Sequence, residues 1–359
     1  MNREETNCLK ALAIILMFWH HLFGCGAALT GGTEYIWYLS MGDFGNMFAY
    51  GAKICIALFT FSSGIGLYHS YLCKDNPVKK IIARTIKFLI TYWTIMFLVA
   101  IPYLIIVHSF DLSLLLINLF ALLHNDSILY VSLSWYIKVY LEILLVLPIV
   151  KLISCRIRTP LVDLFWGVLL PAYIANFLPS AEESFITMPL FLLSSLKLLL
   201  QYFPVFYSGV LFEKYEIAKK ITLGDNFSLL RKIVIVITSV VVMIGVVYVW
   251  GKGYFYPITD ALTATLFTIA FIYFYRLIIQ KCSILNKILA FIGLYSFQYW
   301  LLSGMFYLNT TELTWILYLP KISVLICVWN FLILTPFALA LGKISGKISG
   351  MITKYILRA

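Results

Sequence analysis

Residues 233–250 read IVIVITSVVVMIGVVYVW, an apolar run that no charged side chain interrupts. In an α-helix that rises about 1.5 Å per residue, roughly 20 apolar residues match the hydrocarbon core of a bilayer, which is about 30 Å thick. This stretch therefore predicts a membrane-spanning helix. Similar runs recur along the chain, so the same architecture is expected throughout.

The composition agrees with that expectation. Of the 359 residues, 62% are hydrophobic and 12% are charged, whereas a soluble domain carries about 25% charged residues. We predict an all-α, polytopic transmembrane bundle with about ten spans, forming one membrane domain over residues 1–359. The candidate spans are 8–28, 47–71, 86–107, 134–152, 161–178, 198–212, 233–250, 259–279, 288–307 and 322–342.

The net charge of +11 is concentrated in alternate connections between these spans. The tails and the connections after even-numbered spans hold most of the 27 Lys and Arg residues. Cytoplasmic loops carry such an excess, so we predict that both the N- and C-termini lie in the cytoplasm. Because the basic residues are divided among short loops, a nucleic-acid-binding surface is not expected.

The seven cysteines are odd in number and form no CxxC pair. Most of them lie inside predicted spans or on the cytoplasmic side. The sequence therefore indicates neither a disulfide framework nor a metal knuckle, and no metal is expected.

Two histidines, His20 and His21, lie within the first predicted span. Ionisable side chains inside a membrane are costly and mark candidate functional sites. Counted from Cys8, His21 lies roughly 17–20 Å along the helix, near the expected midplane. A neutral histidine can act as a general base, and a packing histidine bonded to a neighbouring helix fits equally well.

Three more ionisable residues stand out within predicted spans. Lys138 and Glu142 are spaced i, i+4 and can form an internal ion pair. The alternative is that Glu142 orients a histidine or contacts a hydroxylated acceptor. Lys53, in the outer half of the second span, is either functional or snorkels to the interface.

Lys10, Arg84 and Lys87 flank the predicted cytoplasmic ends of the first and third spans. Arg84 and Lys87 share a helix face at i, i+3, so such a group can bind phosphates. The same residues can equally serve only as topology signals.

The run LKALAIILMFWHH at 9–21 resembles the opening of the membrane-bound acyltransferase-3 family, in which a histidine follows a basic residue by eleven positions. By that spacing His21 corresponds to the family's histidine, and His20 is the alternative candidate for that role. Four later blocks are similar to family motifs and occur in the same order. They are ALFTFSSGIGLY at 57–68, RTIK at 84–87, SWY at 134–136 with Pro148, and IGLYS at 292–296.

The chain departs from the family pattern at three positions. Lys10 and Lys87 stand where arginine is usual, so the charge is kept but bidentate geometry is lost. Ser303 stands where many relatives have a histidine.

The resemblance implies transfer of an acyl group, commonly acetyl, from cytoplasmic acyl-CoA to a hydroxyl of a surface or lipid-linked carbohydrate in a bacterial plasma membrane. His21 would be the general base, Glu142 an assisting residue, and Lys10, Arg84 and Lys87 the acetyl-CoA ligands. We expect no additional extracytoplasmic hydrolase-like domain, so a separate protein is an alternative for completing the transfer.

Two other functions compete with this one. A transporter or flippase for a lipid-linked sugar would line its path with buried charges, although no broken-helix inverted repeat is evident. A glycan polymerase would need larger extracytoplasmic loops than the predicted 108–133.

Overall fold

A computed structural model describes residues 1–24, 43–72, 78–120, 129–131, 134–157, 159–178, 188–221, 227–253, 256–309 and 314–358. These residues contain helices and no β-strand. The α-helices are, in chain order, Arg3–Trp19 (α1), Asp43–Gly51 (α2), Cys55–Leu67 (α3), Val78–Ile95 (α4), Ile101–Ile106 (α5), Leu115–Phe120 (α6), Trp135–Arg156 (α7), Pro160–Leu164 (α8), Leu170–Ala175 (α9), Met188–Lys214 (α10), Ile217–Lys220 (α11), Leu229–Gly251 (α12), Pro257–Phe274 (α13), Ser283–Leu294 (α14), Ser296–Gly304 (α15), Thr314–Leu317 (α16) and Ser323–Arg358 (α17).

Many of these helices join end to end into apolar segments long enough to cross a membrane. Within the described ranges there are seven such segments, or eight if the pair Ser283–Leu294 and Ser296–Tyr307, bent by 61°, counts as one span. The seven are Arg3–Gly24, Gly45–Leu72, Val78–Ile106, Leu192–Lys214, Leu229–Gly251, Pro257–Ile279 and Ser323–Lys354. The predicted all-α polytopic bundle is confirmed.

Helices also occupy the two other regions predicted to span. One is α7, which carries Lys138 and Glu142, and the other is the shorter apolar helix Pro160–Ala175. The count of ten spans and the orientation of the termini stay predictions.

The described residues form two compact units. The first comprises those within Met1–Gly24, Met41–Cys73 and Pro148–Leu294, and the second those within Lys74–Leu147 and Tyr295–Ala359. Each unit is described by itself below.

Close backbone contacts hold the first unit together. A Cβ atom on Gly64 of α3 would lie 2.0 Å from the Phe206 carbonyl oxygen, and one on Gly209 of α10 would lie 2.1 Å from that of Phe61. The two glycines therefore let α3 and α10 approach until their backbones touch. Small residues serve the same purpose in many membrane helix pairs.

A buried ion pair fixes the end of α10 in this unit. Asp163 of α8 is fully buried and pairs with the Lys214 ammonium. Lys214 also donates to the carbonyl oxygens of Ser154 at 2.8 Å and Ile157 at 3.0 Å. The carboxylate therefore has a charged partner, and that partner makes further hydrogen bonds.

In the second unit, α4 is tied to the short helix α6. The Tyr92 hydroxyl donates to the Asn118 carbonyl oxygen at 2.6 Å, and the Trp93 indole donates to that of Leu119 at 2.7 Å. A 3₁₀ turn at Leu112–Leu114 leads into α6.

Candidate active site

The two predicted histidines lie together at the end of α1. A capping box starts this helix, with the Asn2 side chain accepting from the Glu5 backbone and the Glu5 side chain accepting from the Asn2 backbone. After Trp19 the α-helix gives way to a π-helical turn over His20–Gly24. Such turns insert one extra residue and are frequent at functional sites.

Both histidine side chains are buried within the first unit, with 6% of His20 and 8% of His21 exposed. Their ring centroids lie 5.0 Å apart in an edge-to-face arrangement. His21 is near the C-terminal end of the described span Arg3–Gly24. Its depth in a membrane and the choice between the two rings as base stay predictions.

A backbone carbonyl orients His20. The His20 Nδ1 atom lies 3.1 Å from the Ala49 oxygen of α2. This approach needs a glycine at the end of the turn, because a Cβ atom on Gly24 would lie 2.5 Å from that oxygen and 2.9 Å from Nδ1. The Tyr50 ring is also near, with its centroid 6.1 Å from that of His20.

Lys53 lies in the 3₁₀ turn Ala52–Ile54 that follows α2. It is close enough to interact electrostatically with His20 and His21. It also interacts with Asp260, in the first turn of α13. Of the two interpretations of Lys53, this position favours a functional one.

Sequence reasoning missed Asp260. The residue falls inside the predicted span 259–279, so the rule for ionisable residues in membranes would have selected it. Its Oδ1 atom is buried and has no hydrogen-bond partner in the part of the chain that the structure describes. A buried acceptor without a donor is uncommon and calls for an explanation.

The predicted phosphate ligands Arg84 and Lys87 both lie on α4, in the second unit. Arg84 is half-buried and donates from Nε to the Tyr140 hydroxyl at 2.8 Å, while Lys87 is exposed. Phe88 follows and stacks on Phe297, with centroids 4.4 Å apart. The Arg84 guanidinium is therefore anchored on one side by Tyr140, whose ring packs against Phe88 with centroids 4.5 Å apart.

Glu142 lies one turn from its predicted partner on α7. The Lys138 ammonium is 4.0 Å from the Glu142 Oε1 atom, as the i, i+4 spacing predicts. The Glu142 Oε2 atom is buried and accepts no hydrogen bond from a described residue. A ligand could donate a hydrogen bond to this second oxygen. The catalytic role of Glu142 stays a prediction.

The remaining predicted positions are Lys10 and Ser303. Lys10 is half-buried on α1, in the first unit with the histidines and apart from Arg84 and Lys87. Ser303 is buried, and its hydroxyl donates to the Trp300 carbonyl oxygen at 2.7 Å. Its hydroxyl hydrogen is therefore used in a hydrogen bond within its own helix.

The described ranges contain no group of three His, Cys, Asp or Glu residues that could hold a metal ion. In the first unit the candidate residues carry two imidazoles, the Lys53 ammonium group and the Asp260 carboxyl group. These groups suit proton transfer and the binding of hydroxyls or phosphates.

Comparison with known proteins gives one result. The model of the acyltransferase domain, family 3, matches residues 3–344. No curated protein matches the chain, and no solved structure does. Because the family model covers nearly the whole sequence, the chain belongs to the acyltransferase-3 family of membrane-bound acyltransferases.

Proposed function

We propose that this membrane acyltransferase takes its acyl group, most simply acetyl, from acyl-CoA and transfers it to a hydroxyl of a carbohydrate. The observation that carries the proposal is the buried histidine pair in the π-helical turn His20–Gly24. A base held in a water-poor setting beside the acceptor hydroxyl is what such a transfer requires.

In the proposed reaction, His21 removes the proton from the acceptor hydroxyl. The hydroxyl oxygen attacks the acyl carbonyl carbon, a C–O bond forms, and the C–S bond to CoA breaks. The proton held by the imidazole then passes to the CoA thiolate. His20 is the alternative base, and Glu142 is an assisting residue.

The donor would bind through its phosphates to basic side chains. Arg84 is the strongest candidate because Tyr140 anchors one edge of its guanidinium and charged donors bind phosphate oxygens well. Lys87 and Lys10 would add charge. CoA is a cytoplasmic compound, which agrees with the predicted cytoplasmic position of these residues.

The acceptor would be a cell-surface or lipid-linked sugar, and the location a bacterial plasma membrane. In an alternative route, a separate extracytoplasmic protein would pass the acyl group on to a large surface glycan. Release of CoA without labelling of any small sugar would favour that route.

A second candidate is a transporter or flippase for a lipid-linked sugar. The half-buried Lys53 fits a polar path through a bundle as well as it fits an enzyme. A transporter would move its cargo without consuming acyl-CoA, so donor turnover separates the two functions.

The test uses the full chain purified in nanodiscs with radiolabelled acetyl-CoA. The acceptors are n-octyl β-D-glucoside, as a lipid-like sugar, and N-acetylglucosamine oligosaccharides. We expect label on a sugar and release of CoA, both lost in His21→Ala. If the wild-type protein neither binds CoA nor transfers label in a histidine-dependent manner, the proposed function is wrong.

A further inference from the structure

Asp260 holds a buried acceptor oxygen to which no residue in the described ranges donates. Its Oδ1 atom is shielded from solvent and receives no hydrogen bond from any described residue. Leaving a carboxylate oxygen in this state costs stability, because water would otherwise hydrate it. A buried acceptor without a donor therefore calls for an explanation, and one explanation is that a ligand supplies the missing donor.

The packing of the first unit keeps Asp260 in a fixed position. The Trp250 indole of α12 donates to the Thr263 hydroxyl of α13 at 2.9 Å, less than one helical turn beyond Asp260. A Cβ atom on Gly51 would lie 1.8 Å from the Val247 carbonyl oxygen, so α2 touches the same part of α12. Three helix ends therefore meet here.

Lys53 connects this position to the histidines. It follows Gly51 by two residues, and its ammonium interacts electrostatically with Asp260, His20 and His21. The groups that interact here are thus one ammonium group, one carboxyl group and two imidazoles. A polyhydroxylated ligand fits such a set, since a carboxylate accepts hydrogen bonds and an ammonium donates up to three.

We propose that Asp260 is an acceptor-binding residue, which receives a hydrogen bond at Oδ1 from a hydroxyl of the sugar other than the one being acylated. Lys53 contacts a neighbouring sugar oxygen. The inference rests on the proposed function, which it deepens by assigning the acceptor side of the site. Asp260 itself transfers no proton in this scheme.

The test compares Asp260→Ala and Asp260→Asn with wild type, using n-octyl β-D-glucoside and its singly O-methylated derivatives as acceptors. Asp111→Asn is the control, because Asp111 is an exposed aspartate whose carboxylate is satisfied by the Ser113 backbone and hydroxyl. The measured quantities are the KM for each acceptor, kcat, the affinity for CoA and the unfolding temperature.

We expect Asp260→Ala to raise the KM for octyl glucoside by about tenfold or more, since a hydrogen bond to a charged group is lost. Asp260→Asn keeps an acceptor oxygen, so its KM should lie between those of wild type and Asp260→Ala. In wild type, methylation of the hydroxyl that contacts Asp260 should raise the KM. In Asp260→Ala the same methylation should cause no further rise, because the hydrogen bond is already lost and the two changes are therefore not additive. CoA affinity should not change, and the unfolding temperature should stay the same or increase.

Three results would overturn the inference. A wild-type KM in Asp260→Ala means that the carboxylate does not bind the acceptor. If the effect of Asp260→Ala on the KM adds to the effect of every methyl ether, the carboxylate likewise does not bind the acceptor. A lower unfolding temperature together with weaker CoA binding means that Asp260 is structural. In each case wild-type transfer persists and the proposed function stands, whereas a wild-type protein that transfers no acyl group overturns both.

Discussion

The Nδ1 atom of His20 lies 3.1 Å from the backbone oxygen of Ala49. A carbonyl oxygen can only accept, so in this hydrogen bond Nδ1 is the donor. The neutral ring then carries its lone pair at Nε2, which is the form that can accept a proton. The contact with α2 therefore selects a tautomer as well as an orientation, and His21 is the immediate neighbour of the oriented ring.

The first prediction concerns these two histidines. If His21 is the base, as the family spacing implies, His21→Ala should lower kcat by about 10²- to 10⁴-fold with donor affinity unchanged. His20→Ala should have a smaller effect, through the placement of its neighbour. Acetyl transfer to octyl glucoside and CoA binding are the two measurements.

A reversed order of these two effects would assign the role of base to His20. Gly24→Ala offers an independent check, because the added Cβ would lie 2.9 Å from His20 Nδ1 and displace the ring. That variant should lower kcat only to the extent that the His20 orientation matters.

The second prediction concerns the donor. Arg84→Gln removes a charged group that Tyr140 holds at 2.8 Å, and should weaken CoA binding by about tenfold or more. Lys87→Gln should have a smaller effect because this side chain is exposed. Isothermal titration with CoA measures both, and binding should weaken further as salt is added.

Lys252→Gln is the matched control, since it also removes one positive charge but is predicted to lie on the extracytoplasmic side. Its CoA affinity should equal that of wild type. Wild-type affinity in Arg84→Gln and Lys87→Gln as well would mean that these residues serve only as topology signals.

Hydropathy found every long helix in this chain, because each span must satisfy its backbone internally and cover itself with apolar side chains. It did not find the π-helical turn at His20–Gly24, since hydropathy does not distinguish a π turn from an α turn. Hydropathy also does not identify hydrogen-bond partners that are distant in sequence. Neither the Ala49 carbonyl beside His20 nor the Tyr140 hydroxyl beside Arg84 belongs to a motif.

Asp260 shows a different reason for failure. Its ionisable side chain lies at the start of a predicted span, where a loop position is an equally good interpretation. Only the structure shows that its Oδ1 atom is buried and that Lys53 is near. Burial depends on the packing of α2, α12 and α13, which no local pattern encodes.

The third prediction concerns the buried ion pair of Asp163 and Lys214. Lys214→Met would leave the fully buried carboxylate without its cation, and should lower the free energy of unfolding by about 3–5 kcal/mol. Thermal unfolding of the detergent-solubilised protein measures the loss. Lys219→Met is the control, because Lys219 pairs with Glu216 at an exposed position and such pairs contribute little to stability. Equal unfolding temperatures for the two variants would contradict the prediction.

The last prediction concerns the glycine contact between α3 and α10. In Gly64→Ala the new Cβ would lie 2.0 Å from the Phe206 carbonyl oxygen, and in Gly209→Ala it would lie 2.1 Å from that of Phe61. The obstructing atoms are backbone, so the helices must separate, and each variant should lose at least about 1–3 kcal/mol of stability. Gly245→Ala is the matched control, because nothing lies within 4 Å of its Cβ position and alanine is the better helix former, by about 0.5–1 kcal/mol. Its unfolding temperature should therefore match or exceed that of wild type. If Gly64→Ala and Gly245→Ala unfold at the same temperature, the close approach of α3 and α10 is not what stabilises the first unit.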